Sequence, residues 1–290
     1  MQEVSFTNGK GKKITFNALL PFNLGGITGI TQAAATAYTD ITINRNGERY
    51  EKSMLDKKVL TLKVIINAAN ENEMMNCRRN LIQLFNPLYG EGILTYTRNN
   101  TTKNIKAVPE SVPDIPYEGN NYKMAVSVDL IAYDPLFYGD SERYPFSTTL
   151  GGLEFPLEIL AEGFEVDTRE VSLIKKISNN GDAPCGVLVV LTAYGAVENP
   201  SVSVLEDSIS FTLAKTLAAG EIVTIDTSDL DNIKMTSLLN SEETDIMNFF
   251  DITSDFLIIE PGDKTIVYGA ESGVDNLGMT LEIKPRYIGI

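Results

Sequence analysis

The chain of 290 residues contains no histidine and no tryptophan. The first absence removes the side chain that most often serves as general base or metal ligand near neutral pH. It also excludes Ser-His-Asp and Cys-His catalysis. The second counts against sugar binding, because the C–H face of a carbohydrate stacks best on a large aromatic ring. Only two cysteines are present, Cys77 and Cys185. They cannot build a disulfide framework or a thiolate metal cluster, and they read as buried, reduced thiols. No apolar run reaches the roughly 18 residues that a membrane helix needs. The opening "MQEVSFTNGKGKK" lacks the basic-then-apolar order of a signal peptide. A soluble protein that folds in the cytoplasm, with no membrane contact, is expected.

Basic residues are scarce in one half only. Residues 1–140 hold 15 Lys/Arg against 14 Asp/Glu, while residues 141–290 hold 9 against 25. The halves therefore carry +1 and −16, which gives the chain its −15. So sharp a break implies two domains in different surroundings. The acidic half repels phosphate backbones, which argues against sequence-specific nucleic-acid binding there.

What is present is β-rich. "ITFNALL" and "DITINRNGERY" read as strand-turn segments, with Asn46-Gly47 the strongest hairpin signal. "VLTLKVIIN" (59–67) is rich in β-branched residues and reads as a strand. In residues 122–135, Met124, Val126, Val128 and Leu130 alternate with smaller or polar residues, the pattern of a strand with unequal faces. One helix is expected over about 71–85. Asn70 stands at the N-cap and Glu73 three residues on, as in a capping box. Met74, Cys77, Leu81 and Leu84 recur at helical spacing, with Phe85 alongside. Arg78 and Arg79 lie nearer the negative end of the helix dipole. Pro87 prevents continuation.

The second half offers many short strand candidates, among them "FPLEIL", "GVLVVLTAY", "EIVTID" and "TIVYG", separated by turn clusters such as "NNGDAP" and "EPGDK". This pattern suggests an antiparallel sandwich. Residues 138–152 carry the Gly, Pro, Ser and Thr of a hinge. The expected division is a domain at 1–140, a hinge at 141–152 and a second domain at 153–290.

Motifs that carry chemistry are few. "GGITGI" (25–30) has neither the spacing of a dinucleotide loop nor a following Lys-Ser/Thr, and reads as a flexible turn between strands. "DTSDLDN" clusters Asp226, Asp229 and Asp231 but fails the EF-hand spacing, since Lys234 and Asn240 occupy the sixth and twelfth positions counted from Asp229. It reads as a solvated loop. Paired carboxylates arise by chance in so acidic a half. No catalytic, cofactor-binding or metal-binding residue is assigned, no cofactor is expected, and an enzyme is not.

The joints between elements carry more. "LFNPLYGEGILTYTRNN" (84–100) resembles the helix-end, "NP", glycine, "L-x-Y" run of the distal tail proteins of long-tailed phages. "VDLIAYDPLFYG" resembles their strand ending in "DP-x-F". In the second half "ISNNGDAPCGVLVVLTAYGAVENPSVSV", "LAAGEIVTIDT", "LIIEPGDKTIVY" and the closing "IKPRYIGI" follow in the same order as their counterparts in that family. The resemblance implies a structural part. Its N-terminal domain would be a β-barrel-like, α+β fold with one helix, and its C-terminal domain a galectin-like antiparallel β-sandwich. Six copies would form a ring at the virion tail tip, assembled in the host bacterial cytoplasm. The ring would join the tail tube protein to the tail-associated proteins, carry receptor-binding proteins and let DNA pass. A carbohydrate-binding sandwich for attachment to the host surface is the rival reading, because galectin-like folds can hold sugars.

Overall fold

A computed structural model describes residues 2–41, 46–116, 122–151, 167–171, 173–230 and 232–290. The chain divides into two compact units, one of Met1–Asp140 with Tyr287–Ile290, the other of Ser141–Arg286.

The first unit contains strands β1 (Glu3–Thr7), β2 (Lys13–Phe16), β3 (Phe22–Thr28), β4 (Ala35–Asp40), β5 (Arg49–Leu55), β6 (Lys58–Asn67), β7 (Gly92–Arg98), β8 (Thr101–Pro109), β9 (Lys123–Ala132) and β10 (Phe137–Tyr138), with helix α1 (Glu71–Leu84). Its main sheet runs β2-β1-β7-β8-β9-β6-β3, and β10 joins β8 at Tyr138↔Asn104. The β6–β9 ladder is the longest, from Lys58↔Ala132 to Asn67↔Lys123. On it Leu60, Leu62, Val64 and Ile66 face Val126, Val128 and Leu130 on one buried side, as the alternation required.

The expected β-barrel is corrected here. Strands β2 and β3 stand at opposite ends of the sheet order and meet only at an isolated bridge, Asn17↔Asn23, instead of a ladder. Closure needs a continuous staggered ladder between the edge strands. The chain is mainly β, with one α-helix and several antiparallel sheets among the described residues, and no sheet closes or curls strongly. Neither the barrel-like nor the galectin-like class is retained.

Helix α1 follows its sequence signals. The Asn70 side chain accepts from the Glu73 N–H at 3.0 Å, and the Glu73 carboxylate accepts from the Ala69 N–H at 2.6 Å. Met74, Cys77, Leu81 and Leu84 are all buried. Phe85 follows them into the core, its ring 5.3 Å from Phe6 and 6.1 Å from Phe16 in stacked pairs. Arg78 does not serve the helix end: it donates to the Ile115 carbonyl at 2.7 Å. Beyond the helix, Asn86 accepts from the Leu88 N–H and a short turn covers Pro87–Tyr89. Gly92 then has no room for a side chain, since a Cβ there would lie 2.5 Å from the Thr7 carbonyl oxygen and 2.6 Å from the Phe6 ring. The joint is built by steric fit on both sides of Pro87.

"GGITGI" differs from its reading as a turn. Gly25, Gly26 and Ile27 lie inside β3, which pairs with β6 through a register shift between Leu24 and Gly26. Gly26 takes a φ of +143°, which glycine tolerates and other residues resist, so the glycines make a bulge instead of a connection.

The second unit contains β11 (Glu142–Pro145), β12 (Ser147–Gly151), β13 (Asp167–Val171), β14 (Ile174–Asn179), β15 (Cys185–Ala193), β16 (Val197–Val204), β17 (Ile209–Thr212), β18 (Thr216–Leu217), β19 (Ile222–Asp226), β20 (Lys234–Leu239), β21 (Glu242–Asp245), β22 (Ile258–Ile259), β23 (Gly262–Ser272) and β24 (Leu277–Ile283). One sheet runs β11-β24-β15-β19-β20-β21 and another β14-β23-β16-β17, while β12 and β13 pair with each other. Val187, Val189 and Leu191 of β15, Val202 of β16, Tyr268 of β23 and Leu281 of β24 share one buried core. The expected strand "FPLEIL" (155–160) lies outside the described residues.

Candidate functional site

One surface of the first unit stands apart. Among the described residues, strands β4 and β5 pair only with each other. Every residue in both is exposed. Their ladder runs Ala35↔Leu55, Thr36↔Met54, Ala37↔Ser53 and Tyr38↔Lys52, then shifts to Thr39↔Tyr50 and Asp40↔Arg49. Cross-strand partners share a face and side chains alternate along a strand. Thr36, Tyr38, Lys52 and Met54 therefore lie on one side, with the Lys52 ammonium 5.5 Å from the Tyr38 ring centre, while Tyr50, paired with Thr39 beyond the shift, lies on the other. Tyr50 is 62% exposed and Ile41, just beyond β4, is 74% exposed. Tyr50 donates to the Ser53 hydroxyl at 3.0 Å, and Thr39 donates to the Glu48 carboxylate.

The same unit has a second apolar prominence. Leu19 and Leu20, between β2 and β3, are 68% and 66% exposed. Their loop is held in shape: the Leu19 N–H donates to the Asn17 side chain at 2.7 Å, and the Asn23 amide donates to the Leu19 carbonyl at 3.2 Å.

Titratable groups in the interior serve the structure. Lys58, at the start of β6, is buried. Its ammonium donates to the Ile288 carbonyl at 2.5 Å and lies 4.7 Å from the Phe137 ring centre. Burial lowers its pKa. Tyr287, next in sequence to Ile288, has the Lys103 ammonium 3.2 Å from its ring centre. The last residues of the chain thus complete the first unit.

In the second unit Glu221 is 2% exposed. Its carboxylate accepts from the Lys215 ammonium, from the Ser237 hydroxyl at 2.5 Å and from the Ala218 N–H at 2.9 Å. Burial pushes its pKa up, but those three hydrogen bonds outweigh it and the carboxyl sits below its ordinary value. Cys77 and Cys185 are both free and buried. Burial pushes the Cys185 thiol up to about 12, so it stays protonated at neutral pH and is a poor nucleophile. In the aspartate cluster, Asp226 accepts from the Ser228 N–H at 2.9 Å, closing its own turn. Asp231 lies outside the described residues.

The sequence pointed to the oily segment "LLPFNLGGITGI", which begins at Leu19, as a surface for contact between copies, but not to the β4–β5 hairpin. Exposure of the β4–β5 hairpin has no local signature, because the same alternating residues would serve in a covered sheet. The burial of Lys58 and Glu221 depends on partners elsewhere in the fold.

Comparison with known proteins points to a structural role. Residues 9–131 match the family model described as "Phage tail protein RIFT-related domain", and residues 180–287 match "Siphovirus-type tail component, C-terminal domain". Between them they cover most of the chain. No curated protein sequence matches it. Among solved structures, the SPP1 Dit protein, whose title calls it a paradigm of the hub adsorption apparatus in phages infecting Gram-positive bacteria, is similar in fold. It has a TM-score of 0.67 at 12% identity, with 99% of each chain covered. A chain of the phage p2 baseplate in its activated, Ca form gives 0.59 at 10% identity, with 100% of each covered. The Sr form gives 0.57 at 9% identity, again over 100% of each. These matches identify a structural component of the phage tail tip and not an enzyme, one that works among tail and baseplate proteins. The chain belongs to the distal tail protein family of siphophage baseplate hubs.

Proposed function

We propose that six copies of this chain form a ring that joins the tail tube protein to the tail-associated proteins, carries receptor-binding proteins and lets DNA pass at ejection. The observation that carries this reading is the division of charge between two units of one chain. The first unit is nearly neutral, with 15 basic and 14 acidic side chains within residues 1–140, and it has large exposed apolar residues. The second holds 25 acidic against 9 basic within residues 141–290. Copies brought together through the second unit would repel one another at short range, where screening over about 8 Å at physiological salt is incomplete. Copies brought together through the first unit meet without that cost and bury apolar surface. On this reading the first unit is the ring-forming domain and the second takes no part in the ring. Assembly takes place in the host bacterial cytoplasm, before the particle is complete.

Light scattering on the purified chain tests the reading. A particle of six times the chain mass of 31.8 kDa is expected. A single-chain mass at all concentrations contradicts it.

A further inference from the structure

We infer that Asn46, in the connection between β4 and β5, is a site of spontaneous chemical modification. Its side-chain amide is converted to a carboxylate through a cyclic imide formed with the Gly47 nitrogen. This does not rest on the ring reading.

The chain holds three Asn-Gly pairs: Asn8-Gly9, Asn46-Gly47 and Asn180-Gly181. Glycine favours imide formation because no Cβ obstructs its nitrogen and its backbone freedom lets that nitrogen reach the asparagine Cγ. Local sequence makes the three pairs alike, and the fold separates them. Asn8 is 5% exposed. Its Nδ2 donates to the Gln83 and Leu84 carbonyls at 3.2 and 3.3 Å, and its Oδ1 accepts from the Lys10 and Lys12 N–H groups at 3.1 and 3.0 Å. The Gly9 backbone is pinned too, since a Cβ there would lie 2.1 Å from the Tyr89 carbonyl oxygen. Asn180 is exposed, but the Ser178 hydroxyl donates to its Oδ1 at 3.3 Å. The Gly181 N–H, which would have to attack, donates instead to the Asn179 side chain at 3.0 Å. Gly181 is also packed on the Arg286 main chain, where a Cβ would lie 2.5 Å from the carbonyl oxygen. Asn46 and Gly47 are both exposed, and a Cβ built on Gly47 meets no described atom within 4 Å. Among the described residues β4 and β5 pair only with each other, and every residue in them is exposed. An isolated hairpin of this kind opens at small cost, so the turn can reach the geometry of attack.

The Gly47 nitrogen gives up its proton to solvent and bonds to the Asn46 Cγ. The Cγ–Nδ2 bond breaks, and the amide nitrogen leaves as ammonia after taking a proton from solvent. Water then opens the imide at either carbonyl, leaving an aspartyl or an isoaspartyl residue at position 46. A neutral amide becomes a carboxylate, so residues 1–140, with 15 basic and 14 acidic side chains, go from +1 to zero.

Peptide mapping by mass spectrometry tests the assignment on the full chain, kept in mildly alkaline heavy-oxygen water. Each conversion takes up one solvent oxygen and so marks its position. In the folded chain Asn46 should convert at least about tenfold faster than Asn8 or Asn180, a barrier difference of about 1.4 kcal/mol. In concentrated urea, where the fold no longer distinguishes them, the three should convert at similar rates. Gly47→Ala should slow conversion at position 46 in the folded chain, because its Cβ obstructs the nitrogen. Equal rates at the three positions in the folded chain overturn the inference. So does an Asn46 that stays intact when folded while the urea-unfolded chain reacts, or a rate at position 46 that Gly47→Ala leaves unchanged.

Discussion

The first unit carries +1 within residues 1–140 and the second −16 within residues 141–290, although both leave large apolar side chains in the open, Tyr50 and Met54 in the first and Tyr194, Leu205 and Ile252 in the second. Each holds a charged side chain in its interior, but differently. Lys58 is met by a main-chain carbonyl and an aromatic ring, Glu221 by an ammonium, a hydroxyl and an N–H. The difference teaches how one chain can be both adhesive and well solvated. The neutral unit supplies surface for its own kind, and the acidic unit resists non-specific association.

If the units are separate in their energetics, damage to one should leave the other intact. The largest effect is expected at Phe85. It is fully buried between Phe6 and Phe16, so Phe85→Ala should cost about 3–5 kcal/mol, with the loss of amide protection confined to the first unit. Hydrogen exchange read by mass spectrometry will localise it. Equal loss of protection in residues 185–283 would mean the two units unfold as one.

Next come the two interior charges. Ending the chain after Arg286 removes the carbonyl that Lys58 uses and should destabilise the first unit by about 1–3 kcal/mol, the usual cost of an unsatisfied buried donor. Glu221→Ala strands the Ser237 hydroxyl and the Ala218 N–H and should cost a similar amount, about 1–3 kcal/mol, but in the second unit. The same exchange experiment separates the two. A truncation felt mainly in the second unit would contradict the assignment of Tyr287–Ile290 to the first.

Proton concentration sharpens the comparison further. The folded-state pKa of Glu221 is depressed below 4.5. Its contribution is therefore complete above pH about 4.5 and is lost as pH falls through the lower folded value. The Cys185 thiol is raised from 9.0 to about 12, so its contribution holds below pH about 9 and is lost as pH rises toward 12. Tyr144, raised from 10.0 to about 12 by burial first and by its bond to Glu142, acts in the same sense. Lys58 acts oppositely in the first unit: its lowered pKa means that folding gains as pH rises through the folded value. Alkaline conditions should thus unfold the second unit before the first, as measured by amide exchange corrected for intrinsic rate. The reverse order would refute this assignment of the titrating groups.

The smallest effect is expected at a half-buried polar position of the helix. Gln83 accepts from the Lys12 ammonium at 2.9 Å, but Asn80 accepts from the same group at 2.9 Å. Gln83→Ala should therefore cost under about 1 kcal/mol. A loss as large as that for Phe85→Ala would mean that the helix is wrongly phased.

Much of the fold was legible from local pattern. The Asn70 cap, the Met74–Cys77–Leu81–Leu84 stripe, the stop at Pro87 and the alternation in β9 are set by residues within a turn or two of one another. What escaped depends on distance. The bulge in β3 was read as a turn because glycine signals both, and only pairing with β6 decides between them. The barrel was expected from the family resemblance, and the edges of the sheet stay open because β2 and β3 share one bridge. Lys58 and its acceptor in Ile288 are 230 positions apart, so no window along the sequence shows them together. The exposure of the hairpin was invisible for a related reason. An exposed Tyr50 and a covered one have the same neighbours in sequence, and what separates them is that, among the described residues, no third strand lies beside β4 and β5.

The central claim is that this chain is a building block whose copies meet through the neutral unit. Electron microscopy of the purified full chain, at physiological salt, tests it most directly. The account predicts rings of six copies with a central opening, held by contacts among residues 1–140. Single particles of one chain, or assemblies held together by contacts among residues 141–286, would contradict it.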